Sequence, residues 1–491
     1  MKVLIFHAYL LRGTGSNVYN ASLARALARL GHEVHLVCQE REAGDLGAGE
    51  PGSVTIHNPD IGGLLPVFVR DEYEGFEVKT FSELSDSELD RYIDANVAAV
   101  RGVLDAAGGV DAALANHLVM GPVILARAGL RYALKVHGSD LSYTVLPDLD
   151  RFRPYALEAI DGASGVLVGS GHIAHRVRQA VGDAADPKLR LGPPGVDTEL
   201  FAPLVPEQRG DRLRDLAATL RSAEEGAWGR DTARAAHAVE WFAEGSGDRV
   251  VFVGKLIVAK GVDLLLAAWP LVRAQNPEAR LLVVGFGELE PALTRIWQSL
   301  ESGDLAPLVE LAERGRGLEG GEEERLEMLA AFLDNVPDGY AEAARASAGS
   351  ARFSGRLEHD EVGALVPATD ALVFSSTFPE AFGMVAAEAA SAGALPVSAA
   401  HSGAIEVSRE LARELPAAAA PLVSFELGAG AVEAIADRIN AWLALDPSTR
   451  EEAQRALRAT VGRLWSWEGV ARGVLAASAG RLDELPPVAR D

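Results

Sequence analysis

The sequence predicts an α/β protein built from two parallel-sheet domains. Three observations carry this. Strand-length apolar runs, Lys2–Phe6 and Glu33–Cys38, flank a segment of helical period from Asn17 to Leu30, and a strand–helix–strand unit of this kind makes a parallel pair. The alternation restarts at Arg249–Gly254 and continues through Arg280–Val284, Ala371–Ser376 and Leu395–Val397. With 491 residues, 48% of them hydrophobic, the chain has room for two or three cores.

Composition narrows the partners. A formal charge of −24 argues against nucleic-acid phosphates and against broad attraction to anionic membranes. The single cysteine, Cys38, forms neither an intramolecular disulfide nor a cysteine metal cluster, which fits a reducing compartment. Met1–Phe6 is too short an apolar run for a signal peptide, and no apolar run reaches membrane length. The expectation is a cytoplasmic protein without a transmembrane segment.

In chain order, Lys2–Phe6 opens the first sheet and a loop, His7 to Ser16, carries Gly13-Thr14-Gly15. The helix that follows buries Val18, Leu23, Leu27 and Leu30, and Gly31 stops it. A nicotinamide-dinucleotide reading competes for this loop. Against it, Val18 stands where the third glycine belongs, and the first glycine comes seven positions after Phe6. Residues 40–75, rich in glycine, proline and charge, read as loops, and Asp86–Ala107 as a long helix. Ala112–His117 is a strand end, Gly121–Ala128 a helix, and Leu134–Val136 a strand running into His137-Gly138-Ser139-Asp140. His117 and His137 therefore sit at strand C-terminal ends, where open parallel sheets collect ligands. Gly165–Ser170 is a further strand, followed by a helix bearing His172 and His175. Those two histidines have no carboxylate or cysteine beside them and read as a solvated face, not a metal site. Asp148-Leu149-Asp150 lies in a polar stretch after a proline, away from any strand end, and is assigned no metal. Residues 205–247 read as one or two amphipathic helices at the domain junction.

In the second half, Arg249–Gly254 leads into a loop with Lys255 and Lys260, and Arg280–Val284 leads into Gly285-Phe286-Gly287. Residues 300–350 are acidic and helix-prone, with Glu319, Glu322, Glu323, Glu324 and Glu327 clustered. They read as a solvated helical excursion, in preference to an acceptor lid or a partner surface. The stretch richest in chemistry is Pro379–Glu388. It joins the strand Ala371–Ser376 to a helix closed by Gly393, and helix-start amides near Phe382 and Gly383 make an anion site. Glu380 precedes the helix and Glu388 lies within it. Eight helical residues span about 12 Å, the length of a sugar diphosphate joined to a ribose.

Glu380-x7-Glu388 in its Pro-Glu-x-Phe-Gly setting resembles the donor motif of family-four retaining glycosyltransferases with the GT-B fold. The resemblance implies that Glu380 faces the transferred sugar and that Glu388 binds the ribose hydroxyls. Ala381, Phe382, Gly383 and Met384 then supply the turn around the donor. Gly13 and Gly15 match the family's first glycine-rich loop, followed by Asn17 and Tyr19 in "SNVY". His137 matches the histidine that contacts the donor sugar, and His117, with Asn17, lies nearer the acceptor. Lys255 and Lys260 match the cation pair that clamps the diphosphate, with lysine at 255 where arginine is usual and the bidentate fork lost. Arg356 and Leu357 fall in the loop that cups the base. Leu191–Phe201 resembles the segment that leads into the interdomain crossing, with Pro194 in place of the usual asparagine. His401-Ser402-Gly403-Ala404 resembles a loop near the sugar pocket, and Leu464–Glu468 begins a helix like the one that crosses back onto the first domain. Matches run in order from residue 2 to about 475.

The expected fold is therefore GT-B, two Rossmann-like domains facing an interdomain cleft. Residues 1–204 form the acceptor-side domain, 205–248 a helical insertion, 249–462 the nucleotide-sugar domain and 463–491 a returning helix. The expected reaction is retaining transfer of a sugar from a UDP- or GDP-sugar to an acceptor hydroxyl, with no metal or other cofactor. The catalytic set is Glu380, His137 and Lys260. Polyol phosphate, lipid-linked sugar and glycan stay open as acceptors. A sugar-nucleotide epimerase and a non-catalytic nucleotide-sugar-binding protein remain the competing readings of the same fold.

Overall fold

In the computed structural model, residues 1–11, 15–41, 44–69, 73, 75–223, 230–245 and 247–489 are described. The chain divides into two compact units, Met1–Gly195 with Trp465–Asp491, and Val196–Leu464. Each is built on its own parallel sheet.

The first unit holds β1 (Lys2–Phe6), β2 (Glu33–Val37), β3 (Ser53–His57), β4 (Leu64–Val67), β5 (Glu77–Thr80), β6 (Ala112–Asn116), β7 (Tyr132–Val136), β8 (Ala163–Val168) and β9 (Leu189–Leu191). Seven of them form one sheet in the order β3-β2-β1-β6-β7-β8-β9, and β4 pairs with β5 separately. The central strands are buried on both faces, as expected where helices cover a parallel sheet on both sides. The helix Gly15–Arg29 buries Tyr19, Leu23 and Leu27 against Val3, Ile5 and Leu36. Trp467, Ala471 and Val474 of the helix Trp467–Ser478 complete that same core. Gly195 gives the tryptophan its room: a Cβ there would lie 2.6 Å from Trp467 Cδ2.

The stretch 40–75, expected as loops, contains β3 and β4. The reason is physical. β3 is an edge strand whose residues are only partly covered, so it shows no continuous apolar run of the kind that marks the buried strands.

The second unit holds β10 (Arg249–Val253), β11 (Arg280–Val284), β12 (Ala351–Gly355), β13 (Ala371–Phe374), β14 (Leu395–Ala399) and β15 (Ser424–Phe425) in the order β12-β11-β10-β13-β14-β15. The helices Pro206–Ser222 and Thr232–Ala243 belong to this unit, and the second lies against β12. The stretch from 300 to 350 folds as short helices, Ala306–Arg314, Glu327–Asp334 and Tyr340–Ala346, between β11 and β12. No described helix is long and apolar enough to cross a membrane.

Both sheets reverse direction once. In the first, the chain builds outward from β1 to β3 and then returns to place β6 on the other side of β1. In the second it builds from β10 to β12 and returns with β13 beside β10. Loops leaving the two strands at such a point diverge to opposite faces and open a crevice at the strand C-terminal ends. The positions to inspect are thus fixed by topology: after β1 and β6, and after β10 and β13.

Replacing Trp467 by alanine should cost the first unit about 3–5 kcal/mol, read as an earlier unfolding transition of that unit in calorimetry. An unchanged transition would mean that the helix contributes little to its core.

Candidate active site

In the second unit, hydrogen bonds tie the loop after β10 to the end of β13. The loop after β10 leaves its carbonyls pointing at β13. Ser375 Oγ donates to the carbonyls of Lys260 (3.1 Å) and Gly261 (2.8 Å), and Ser376 Oγ to that of Ala259 (3.0 Å). The amide of Thr377 also donates to Ala259 (3.0 Å). Gly261 allows this approach. Its φ is +62°, and a Cβ would lie 2.1 Å from the Ser375 carbonyl oxygen. The loop so held presents the Lys260 ammonium to the Glu380 carboxylate in an ion pair, 27% and 20% exposed, with the ammonium 5.9 Å from the Phe374 ring centre. Glu380 is fixed in turn by its backbone: its amide donates to Ser402 Oγ (2.8 Å), and its carbonyl accepts from the Gly403 amide (2.9 Å).

Gly383 caps the helix Met384–Ser391 with φ +119°. Ala381 and Met384 are half-buried, while Phe382 and Gly383 are buried. Glu388 is buried in that helix, with His359 Nε2 at 3.9 Å from its Oε1. Burial pushes its carboxyl above the ordinary range, and His359 opposes the shift. A second cluster gathers at the ends of β10, β11 and β12. Lys255 Nζ and Arg356 Cζ lie 5.9 and 5.5 Å from the centre of the Phe286 ring, and Arg356 pairs with Glu358 at 3.1 Å. Leu357 is buried beside it.

In the first unit the crevice after β1 and β6 holds three histidines. His7 follows β1, His117 follows β6 and His137 follows β7. The rings of His117 and His137 are 4.8 Å apart, and His7 stacks on His117 at 6.5 Å. A chain of side-chain hydrogen bonds links two of them with one consistent direction. His137 Nε2 donates to Asn116 Oδ1 (2.8 Å), Asn116 Nδ2 to Asn20 Oδ1 (2.8 Å), Asn20 Nδ2 to His7 Nδ1 (2.9 Å), and His7 Nε2 to Asn17 Oδ1 (2.9 Å). This assignment makes both histidines neutral with the proton on Nε2, and leaves His137 Nδ1 as an acceptor. Burial, then the neighbouring His117, push His7 down to about 3, against the hydrogen bonds to Asn17 and Leu10. Burial and the neighbours His117, Lys135 and His7 hold His137 well below its usual range. His117 is buried with φ +67°, and neither of its ring nitrogens has a hydrogen-bond partner among the described residues. Its Nδ1 is 3.8 Å from Asp140 Oδ1. Burial raises the Asp140 carboxyl, but His117 and the amides of Leu118 and Gly138 outweigh it and hold the group below its usual value.

The sequence-predicted residues thus fall into three groups. Lys260 and Glu380 touch, with Ala381, Phe382, Gly383, Met384 and Glu388 continuing the same turn and helix. Lys255, Arg356 and Leu357 form the Phe286 cluster. Asn17, His117 and His137 meet in the first unit. Gly15 is the exposed first residue of its helix, and Gly13 lies outside the described residues. Asp148 caps a helix, its Oδ1 accepting from the Arg151 amide at 3.3 Å. Sequence reasoning missed His7 and His359. His7 carried the same signal as His117, a histidine directly after an apolar strand. For His359 no local signal exists.

Three sequence models match this chain. The one described as Glycosyltransferase Family 4 matches residues 13–200, and two described as Glycosyl transferases group 1 match residues 247–313 and 343–459. The chain belongs to the family-four, group 1 glycosyltransferases. A GDP-mannose-dependent α-(1-6)-phosphatidylinositol monomannoside mannosyltransferase of Mycolicibacterium smegmatis is 29% identical over 37% of this chain and 39% of its own length. A GDP-mannose-dependent monoacylated α-(1-6)-phosphatidylinositol monomannoside mannosyltransferase of Corynebacterium glutamicum is 27% identical over 33% and 34%. The chain therefore aligns with well under half the length of these curated relatives. Among solved structures, Anabaena HepE in complex with UDP and glucose covers 99% of this chain and 100% of its own, with a TM-score of 0.58 and 16% identity. That likeness establishes the GT-B fold for this family-four chain.

The buried His7 gives a signed pH dependence. Its folded value of about 3 lies below the ordinary 6.5, so below pH 6.5 the unfolded chain takes up a proton that the folded chain refuses. Stability should fall by about 1 kcal/mol per pH unit from this group as pH drops from about 6.5 towards 3. His7→Gln should flatten that part of the profile in urea titrations at successive pH values.

Proposed function

We propose that this chain is a retaining hexosyltransferase that moves a sugar from a nucleoside-diphosphate sugar to an acceptor hydroxyl without a divalent metal. The observation that carries the reading is the Lys260–Glu380 pair held at the mouth of the helix Met384–Ser391, with Glu388 buried eight positions after Glu380. A cation, a helix start and two carboxylates in this order suit a diphosphate with a hydroxyl-bearing group on either side. The names of the two curated relatives favour GDP-mannose as the first donor to test.

In this reading the bond from the anomeric carbon to the diphosphate oxygen breaks, and charge collects on the leaving phosphate. The Lys260 and Lys255 ammonium groups and the helix-start amides around Gly383 stabilise it. Glu380, already fixed by Ser402 and Gly403, accepts from sugar hydroxyls, and Glu388 from the ribose. The acceptor oxygen bonds to the anomeric carbon on the face the phosphate leaves. Its proton passes to the departing phosphate oxygen, so no protein nucleophile is needed. On this reading the His137 Nδ1 is assigned to accept from the donor sugar, and Asn17 and His117 are assigned to the acceptor. Polyol phosphates, lipid-linked sugars and glycans are the acceptor classes to screen.

Glu388→Ala should weaken nucleotide binding by about tenfold to a hundredfold, the loss of one or two charge-assisted hydrogen bonds. Glu380→Ala should leave that affinity nearly intact and lower kcat by about a hundredfold or more. Calorimetric titration with GDP and UDP, and label transfer from GDP-mannose with and without EDTA, check both. Two variants that bind and turn over like the parent chain would remove the assignment. Activity abolished by EDTA and restored by a divalent ion would remove its metal-independent part.

A further inference from the structure

We infer that Glu319 is a positioning residue for the lysine-bearing loop after β10, which makes the acidic insertion part of the donor apparatus instead of a solvated excursion. The inference rests on the donor reading above. Its starting point is a gap in the local sequence. Lys260 is the last residue of a short 3-10 turn, Val258–Lys260, and the residue before that turn is Ile257, which makes no capping hydrogen bond. A turn start needs an oxygen acceptor for its exposed amides, normally from a serine, threonine, aspartate or asparagine at that position. Isoleucine has none. The missing acceptor comes from 61 residues downstream: the Val258 amide donates to Glu319 Oε2 at 2.8 Å.

Glu319 is distinguished from the acidic residues around it by burial. Its side chain is 15% exposed, against 67% for Glu323 and 65% for Glu324. Arg316 sits 4.0 Å from Oε1, on the same residue whose other oxygen holds Val258. A negative group at a turn start is also favoured by the alignment of the peptide dipoles. The insertion that carries it is anchored, not loose. Leu308, Leu311, Leu329 and Phe332 are buried, and Tyr340 Oη donates to the Ala267 carbonyl at 2.6 Å, on the helix that continues from the lysine loop. Residues 314–342 fall between the two group 1 matches, so this anchor stands outside the family's own motif residues. The loop is thus gripped from two sides. Ser375 and Ser376 take its carbonyls, and Glu319 takes its leading amide.

The test compares E319A, E319Q and, as a control on the same insertion, the exposed E323A. Hydrogen exchange is read over residues 255–263, and affinity for GDP and UDP is measured by calorimetry. E319A should speed exchange in that segment while β11 and β12 keep theirs. It should weaken the nucleoside diphosphate that the parent chain binds by about tenfold, with kcat at saturating donor changed less. E319Q, which keeps an oxygen acceptor, should recover most of both effects, and E323A should match the parent chain. Unchanged loop exchange in E319A overturns the inference, and so does faster exchange with unchanged affinity, or a uniform loss of protection across the unit. A parent chain that binds neither nucleotide overturns the donor reading itself. The exchange measurement then still decides whether Glu319 holds the loop.

Discussion

The second unit depends on how one short loop disposes of its backbone polar groups. Buried amides and carbonyls must be paired, and the segment Ile257–Gly261 has no side chain of its own that pairs them. Two serines at the end of β13 and a glutamate from the insertion supply the partners instead. The glycine at 261 is what lets strand end and loop come that close. Lys260 inherits a fixed origin from these contacts, and its ammonium meets Glu380 without the loop having to reorganise. Preorganisation of this kind counts most where charge develops during a reaction.

The first unit meets the same topological constraint with opposite chemistry. Its crevice also opens where the sheet reverses, but His7 and His137 there are held neutral. Asparagines separate the histidines, and each amide passes a hydrogen bond in one direction, so that protonating His7 on Nδ1 would set two donors face to face at Asn20. Lys135 adds to this, since burial pushes its ammonium down to about 7. A crevice that keeps His7 and His137 uncharged leaves the His137 Nδ1 able to accept a hydrogen bond from a hydroxyl group.

Much of this was legible in the sequence because parallel strands and strand-end chemistry are local patterns. The apolar runs gave both sheets, and the motif around Glu380 and Glu388 gave the turn and helix. The failures share one cause, that their determinants are not local. β3 pairs only along one edge and so needs no continuous apolar run. His359 reaches Glu388 across the fold, and the Glu319 contact spans 61 residues with nothing in either segment to announce it. His7 is the exception. Its position after β1 was visible, and it was read as the start of a loop.

On the proposed donor reading, the net charge of −24 raises the question of how such a chain would accommodate a diphosphate. Distance answers it. At physiological ionic strength exposed charges more than about 8 Å away are largely screened, so the surface carboxylates contribute little and the nearest cations decide. Two of these, Lys255 and Arg356, lie over the one ring of Phe286, whose face favours cations, and Arg356 also pairs with Glu358. The third, Lys260, is held by Glu380. An incoming phosphate must therefore share that ammonium with a carboxylate already in place, and the carboxylate, drawn partly off its cation, is left to accept from hydroxyl groups. One ion pair can in this way serve both ends of a ligand that carries a phosphate beside a sugar.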